Sequence, residues 1–519
     1  MLPAMKNQIS TTLSVLLQDI VAVPPDLDRK IFGIALDSRK IKAGDLFIAC
    51  AGHSFHGVHF ADKAINSGAI AILVEAAGAV VEEVDALRAK AKVPVLVVPV
   101  LKYDIGVISE RFFGNPSSLL LTVGVTGTNG KTSCSQFLAQ ALHEEQSCGV
   151  IGTIGNGMFG QMEQATHTTP DAVSLHAMFR GMLDQGAKAV VMEVSSHGLH
   201  QGRVAGVAFD AAVFTNLSRD HLDYHGSMEN YRAAKEMLFK APSLRYAIIN
   251  ADDAFGQQLL ATLPDHLKKV AYSIHKPYED SAFAVTATDV RLDPQGMQFH
   301  LSTPWGEGVV RSALLGRFNV SNLLAVLSTL LVLNVPFADA VKRAQVLTTV
   351  PGRMERLGGK RGLPLVVVDY AHTPDAVEKA LTALREHLQS DAAAGGRIHC
   401  LLGCGGDRDK GKRPHMGAIA EAYADQVVLT NDNPRSEDPQ RIIEDILAGM
   451  KNPTAVKTIP QRQQAICETI AKADPSDVIV ILGKGHEQYE IIGAEKRDYP
   501  GDWKIAETAL HRKVAEGLQ

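Results

Sequence analysis

Thr126-Gly127-Thr128-Asn129-Gly130-Lys131-Thr132 is the densest concentration of chemistry in the chain. Glycines let backbone N–H groups close around an anion, and a following helix adds its positive end. Lysine supplies a compact charge, and a threonine hydroxyl suits Mg²⁺. The residues therefore suit a phosphorylated ligand. The strict G-x-x-x-x-G-K-[ST] spacing is not met, because Val125 stands at the first glycine position and Gly127 comes two residues later. A Gly-rich turn with an incidental lysine is the alternative. Against it stand the apolar run 119–125 before the motif and the helix-like SCSQFLAQALHEE after it. A cation should accompany the phosphates, and Glu193, His221 and Asp223 offer donors of the right kind after two further apolar runs. Taken singly, Glu193 suits a cap and His221 a core position. Their shared place after strand-like runs favours metal binding.

Elements that would position these groups follow one grammar, an apolar run, a polar corner, then a helical segment. Runs 189–194, 211–214 and 247–249 lead into SSHG, TNLSRDHLD and NADD. Runs 365–368, 400–402, 427–429 and 478–482 lead into DYAHTPD, GCGGDRDKGKRP, TNDNPRSEDP and GKGHE. Unalternating runs of this length suit parallel strands buried on both faces, and their alternation with helices implies open, doubly wound sheets. Ligands bind such sheets at the carboxyl ends of the strands, where the unusual polar residues collect here.

Length and composition frame that reading. A chain of 519 residues exceeds one hydrophobic core, and about three domains is the expectation. We place them at 1–102, a small α/β unit; 103–350, the central phosphate-loop sheet; and 351–519, a Rossmann-like α/β unit. A linking helix at 103–113 is stopped by Gly114-Asn115-Pro116, and the second boundary falls at Val350-Pro351-Gly352. With 46% hydrophobic and 21% charged residues the chain is neither disordered nor collagen-like. A net charge of −5 gives no footprint for nucleic acid. The six cysteines show no CxxC spacing and read as core thiols of a reducing compartment. No signal-peptide pattern opens the chain, and the apolar stretch 323–333 is short of the roughly 20 residues a bilayer span needs. A buried helix there, no membrane insertion and a cytoplasmic location are expected.

TGTNGKT, MEVSSHGL, TNLSRDHLDYHG, GRFNVSN, DYAHTPD, GCGGDRDKGKRP, DNPR and GKGHE occur in the order seen in Mur ligases, from about Leu36 to Trp503. The chain resembles most closely the MurE type, which adds meso-diaminopimelate to UDP-MurNAc-L-Ala-D-Glu in peptidoglycan precursor synthesis. The resemblance implies ATP-driven amide formation through an acyl phosphate. It implies that Gly127, Thr128, Asn129, Gly130, Lys131, Thr132 and Ser133 hold ATP, with Asn319, Arg353, Asp369 and His372 at its nucleoside end. It implies Thr132, Glu193, His221 and Lys235 around Mg²⁺, with Lys131, His221 and Lys235 as the catalytic set and Lys235 carboxylated to a carbamate.

For the UDP-sugar peptide the same resemblance names Leu36, Ser38, His53, Ser54, Phe55, His167, Thr168, Thr169, Ser195, Gln201 and Arg203. For diaminopimelate it names Arg408, Asp432, Asn433, Pro434, Arg435, Gly483 and Glu487. Chemically, the forks of Arg203 and Arg435 suit carboxylates, and Glu487 suits the distal ammonium. A site built for that carboxylate would reject lysine, which lacks it. Without the resemblance, Lys235 is a solvated helix lysine, Asn319 and Asn322 are helix caps, Arg353 is an ion-pair partner and DNPR is a proline turn. Lys410, Lys412 and Arg413 read as a solvated basic face. The competing functions are a related ligase that extends folate or adds lysine, and a nucleotide-dependent switch that ligates nothing. A monomer that closes between its domains is expected.

Overall fold

A computed structural model describes residues 9–517 apart from 53–54, 144, 166, 278–280, 294–295, 361 and 390–394. His53 and Ser54 therefore lie outside the described residues. Three larger sheets succeed one another along the chain. The first has four parallel strands, Gly33–Ala35, Asp45–Ala49, Ala71–Glu75 and Val95–Val98, in sequential order. Helix Asp104–Phe112 leads out of it and packs on helix Ala172–Asp184 of the central unit. The buried side chains of Glu110 and His176 meet at 2.6 Å between these two helices.

Among the described residues the central sheet has eleven strands. Its parallel core places Leu121–Thr126 between Ala189–Glu193 and Ala211–Phe214, followed by Tyr246–Asn250 and Lys268–Ser273. The carboxyl ends carrying the phosphate loop, Glu193 and Thr215 are thereby neighbours. Helix Arg317–Val332 is apolar almost all round because it lies between this sheet and helix Lys131–His143. Each large side chain sealed there contributes about 1.5–3 kcal/mol relative to exposure. The stretch 323–333 is a buried helix, as expected, and among the described residues no helix is long and apolar enough to cross a membrane.

This sheet departs from a purely parallel design. Ala284–Asp293, Gly296–Thr303 and Gly306–Ser312 extend it as an antiparallel meander, and two short antiparallel strands close the other edge. The meander follows from alternation: Met297, Phe299 and Leu301 point inward while Gln298 and His300 are more open. The third sheet runs in the order Glu355–Gly358, Leu365–Asp369, Val478–Leu482, Ile398–Leu402, Gln426–Leu429 and Lys457–Thr458, parallel but for its first strand.

One side-chain expectation fails here. Arg413 belongs to no solvated face: it is fully buried, donating to Glu437 and Asp445 and to the Gly405 carbonyl. Arg413 lies in the first turn of helix Lys412–Tyr423, which turns it inward. Lys410 does stay exposed, reaching Glu437 from outside.

Candidate active site

The phosphate loop sits where its backbone has no room for side chains. Gly127 has φ +149°, and a Cβ there would collide with the Thr215 hydroxyl. Thr215 in turn donates to the Asn129 carbonyl at 2.6 Å, and Asn216 accepts from the Asn129 N–H at 3.0 Å. The loop is thus held from the next strand's end. Lys131 folds over it, its ammonium 2.9 Å from the carbonyls of both Gly127 and Thr128.

Thr132 donates to Glu193 Oε2 at 2.9 Å. Glu193 is wholly buried and also accepts from the Thr153 N–H at 2.7 Å and hydroxyl at 3.2 Å. Arg353, from the start of the third unit, reaches the Thr132 hydroxyl at 3.2 Å and lies over the Tyr370 ring. His221 adopts a left-handed φ of +54° with Asp220 3.4 Å away, and burial pushes its imidazole down to about 4. It is therefore neutral at pH 7 and able to donate a lone pair.

Lys235 is 1% exposed, which overturns its reading as a solvated helix lysine. Helix Met228–Glu236 directs it inward, where it donates to the Gly127 carbonyl at 2.7 Å and stands 4.4 Å from the Tyr231 ring centre. Burial, then the neighbouring Lys131, holds its pKa well below the usual lysine value, with Asp220 opposing. Asn319 and Asn322 are not caps either. Both are buried inside the helix, Asn319 donating to the Leu315 carbonyl and accepting from Asn322, each at 2.8 Å. An amide has two N–H groups and two lone pairs, so one of each stays available to a ligand. Asp369 accepts from the N–H groups of Met354 and Ala371, and burial raises its pKa.

One cavity of about 1040 Å³ gathers most of these groups. Thr128 to Ser133, Glu193, His221, Lys235 and Asn319 line it from the central unit, and Arg353, Asp369, His372, Arg408 and Glu487 from the third. His167, Thr168, Thr169, Ser195 and Arg203 line its other end. Arg203 is oriented by Gln201, which accepts its Nε–H at 2.8 Å, and by the Thr169 carbonyl at 2.7 Å. A smaller cavity of about 290 Å³ shares His167 and Arg203 and adds Leu36, Lys102 and Gln201, pointing toward the first unit. Ser38 is buried and Phe55 is exposed, and neither lines these cavities.

Asp432, Asn433, Pro434, Arg435 and Gly483 do not line this cavity. Asn433 donates to Glu487 at 2.9 Å. Arg435 donates Nη1 to the Gly406 carbonyl at 2.8 Å, with Asn433 O at 3.4 Å, and a Cβ on Gly405 would approach that guanidinium to 2.8 Å. Gly483 has φ +111°, and a Cβ there would meet Asp432 at 2.6 Å. The glycine corners are thus packed against the very side chains named for the amino-acid substrate.

Several residues of the wall were not singled out in the sequence. Thr153, Asp220, Tyr370 and His486 line the main cavity. Asp220 and His486 fall inside the quoted motifs TNLSRDHLD and GKGHE, so the signal was at hand. Thr153 has none, since its place depends on how the strand Cys148–Ile151 ends beside Glu193. Among the described residues no three His, Cys, Asp or Glu side chains converge as a metal cage. A Thr132–Glu193 pair beside a neutral imidazole still fits Mg²⁺, which takes one or two protein ligands and fills the rest with water and phosphate.

Comparison with known proteins agrees with this geometry. Family models match as the Mur ligase family catalytic domain at 30–111, the Mur ligase middle domain at 125–330 and the Mur ligase glutamate ligase domain at 352–485. A UDP-N-acetylmuramoyl-L-alanyl-D-glutamate–2,6-diaminopimelate ligase of Ectopseudomonas mendocina is 51% identical over 463 residues, 88% of this chain and 91% of that protein. The ligase of the same name from Coxiella burnetii is 48% identical over 466 residues, 90% of this chain and 93% of its own length. A solved structure with that name is 33% identical, with a TM-score of 0.69 over 98% of this chain and all of the other.

Proposed function

The chain belongs to the Mur ligase family, and from that premise we propose that it joins meso-diaminopimelate to UDP-MurNAc-L-Ala-D-Glu at the expense of ATP, as a cytoplasmic monomer. The γ-phosphoryl group passes to the D-glutamate carboxylate, and the amine displaces phosphate from the resulting acyl phosphate. The observation that carries this reading is the single cavity in which the phosphate loop, Arg203 and Glu487 face one another.

Each region of the wall has a task. Backbone N–H groups of the loop, the start of helix Lys131–His143 and Lys131 itself receive the phosphates. Thr132, Glu193 and His221 would hold Mg²⁺, which when bound neutralises the charge that builds on the transferring group. Arg353 reaches the same hydroxyl from the third unit, so the two units meet at the phosphate. Arg203, preset by Gln201 and Thr169, orients the peptide carboxylate. The smaller cavity toward the first unit is our assignment for the nucleotide-sugar end, with domains at 1–102, 103–350 and 351–519.

Lys235 is assigned as a carbamate. Its depressed pKa favours the neutral amine, whose lone pair adds to CO₂ while a proton leaves to solvent. The product is an anion beside Lys131 instead of a second cation. Arg435 is assigned to the distal carboxylate of diaminopimelate, Glu487 to its distal ammonium, and Arg408 to a further contact with the same substrate.

Mass spectrometry of reactions offered diaminopimelate or L-lysine tests the reading. A tripeptide product with diaminopimelate alone is expected. Product with lysine would defeat the amino-acid assignment, and no product with either would defeat ligation.

A further inference from the structure

Lys484 is wholly buried in the third unit, and nothing above gives it a task. Its ammonium donates to Asn433 Oδ1 at 2.8 Å and to the Tyr489 carbonyl at 2.9 Å, with Asp432 Oδ1 at 3.7 Å. The Tyr499 ring centre lies 5.3 Å away. Asn433 Oδ1 accepts a second hydrogen bond, from the Ile491 N–H at 3.0 Å. Two donors therefore occupy that oxygen, and the amide has one orientation open to it. Its Nδ2 then points at Glu487 Oε2, 2.9 Å away. The Tyr370 hydroxyl approaches the other carboxylate oxygen at 3.5 Å.

A buried lysine costs free energy unless its charge is used. Here two carboxylates, Asp432 and Glu487, share one corner. Like charges in one corner repel, and a cation beside them offsets that repulsion. We propose that Lys484 is a positioning residue for the amino-acid substrate: it locks the Asn433 amide and balances the two carboxylates, so that Glu487 meets an incoming ammonium as an oriented anion. Burial and Asp432 push the Glu487 carboxyl upward, while Asn433 and Lys484 oppose that rise. The inference rests on the assignment of Glu487 to the distal ammonium made above.

Steady-state kinetics of the full chain test it, with Lys484→Met, Lys484→Gln, Asn433→Ala and the Lys484→Met/Asn433→Ala double variant. Lys484→Met is expected to raise KM for diaminopimelate about 10–100-fold, the range for breaking a buried charged hydrogen bond. Its KM for ATP and for the nucleotide peptide, and kcat at saturation, should stay within about 3-fold, which a loss of fold would not permit. In the Asn433→Ala background the same change should add less than about 3-fold, because residues acting in one chain are not additive. Lys484→Gln keeps a donor for Asn433 without the charge. It should fall between wild type and Lys484→Met, and it carries the test if the methionine variant does not fold.

An unchanged KM for diaminopimelate, a parallel rise of all three KM values, or full additivity with Asn433→Ala would each overturn the inference. Failure of the wild type to use diaminopimelate would defeat the underlying reading instead.

Discussion

Lys235 and Arg462 are both sealed from solvent, in different units of the chain, and their surroundings are opposite. Lys235 has a carbonyl and an aromatic ring for company; Lys131 nearby has the same sign, and Asp220 offsets it only in part, with no carboxylate in contact with the amine among the described residues. Arg462 grips both oxygens of Asp502 at 2.8 and 2.7 Å and donates to the Leu482 carbonyl at 2.8 Å. Tyr499 completes the carboxylate at 2.8 Å. Burial lowers both pKa values, but Asp502 more than reverses the effect for Arg462 and holds it above the ordinary arginine value. A buried cation with its counter-ion is framework, here tying the C-terminal helix Asp502–Gly517 to the strand that ends at Leu482. A buried cation without one is poised to lose its proton.

That contrast breaks most visibly at Arg462. Arg462→Met leaves Asp502 buried and unpaired, and should cost about 3–5 kcal/mol in urea unfolding of the third unit. Replacing Asp502 by leucine in the same chain should recover much of the loss, because the orphaned charge goes too. Lys235→Met should do the reverse. In the folded state the Lys235 pKa is depressed, so between the folded and the unfolded value the unfolded chain binds a proton that the folded chain does not. Removing the amine therefore takes away a term that weakens folding as pH falls below the usual lysine value. Stability should hold or rise within about 1 kcal/mol. Product formation should fall about 10²–10³-fold, the scale for losing one preorganised group at a developing charge. A Lys235→Met chain that unfolds while keeping its activity would reverse the comparison.

Lys235 also marks where the sequence stops being legible. The runs 211–214 and 478–482 became strands with those limits, because apolar residues between polar corners have few other structures open to them. The phosphate loop was readable for the same reason: glycines, lysine and threonine at that spacing are local chemistry. Burial of Lys235 is not local. It depends on Tyr231 and Gly127, residues separated in the chain from the lysine or from each other, and helix period alone does not reveal it. Arg413 failed likewise, since its partners Glu437 and Asp445 arrive from another helix and loop. The antiparallel meander was not read from the sequence, although Met297, Phe299 and Leu301 alternate with more open residues, because the reading rested on the longer unalternating runs. Family resemblance supplied the role of Lys235, and geometry supplied the reason.

Arg413 and Glu437 extend the comparison toward the surface. Arg413 is buried while Glu437 is half-buried, and the hydrogen bonds from Arg413 hold the carboxyl down at about 2 despite some desolvation. A depressed carboxylate stabilises the fold above its unfolded pKa and loses that contribution as pH falls through the folded value. The window here runs from about 4.5 down to about 2. Solvent screening reduces the worth of the pair to about 1–2 kcal/mol. Glu437→Gln should therefore lower stability at pH 7 by that amount and flatten this part of the acid limb in pH-dependent melts. An acid limb unchanged by the substitution would mean that Asp445 alone balances Arg413.

The smallest expected effect lies where a partnered charge touches the phosphate loop itself. Asp375, in the first turn of helix Pro374–Gln389, accepts from the Asn129 Nδ2 at 2.7 Å and pairs with Lys379 at 3.0 Å. An anion is favourable at a helix start, so Asp375 is stable there without Asn129. The loop is equally independent of Asp375, because Thr215 and Asn216 hold the Asn129 backbone from within the central unit. What Asp375 adds is a bond between units that exists only when they are together. Asp375→Ala should therefore leave the melting curve in place and raise KM for ATP about 2–10-fold, the worth of one hydrogen bond, without moving KM for diaminopimelate. A loss beyond that range would mean that the third unit shapes the loop as well as closing on it. The same substitution with no effect on ATP would show that Arg353 at Thr132 couples the third unit to the phosphate loop without Asp375.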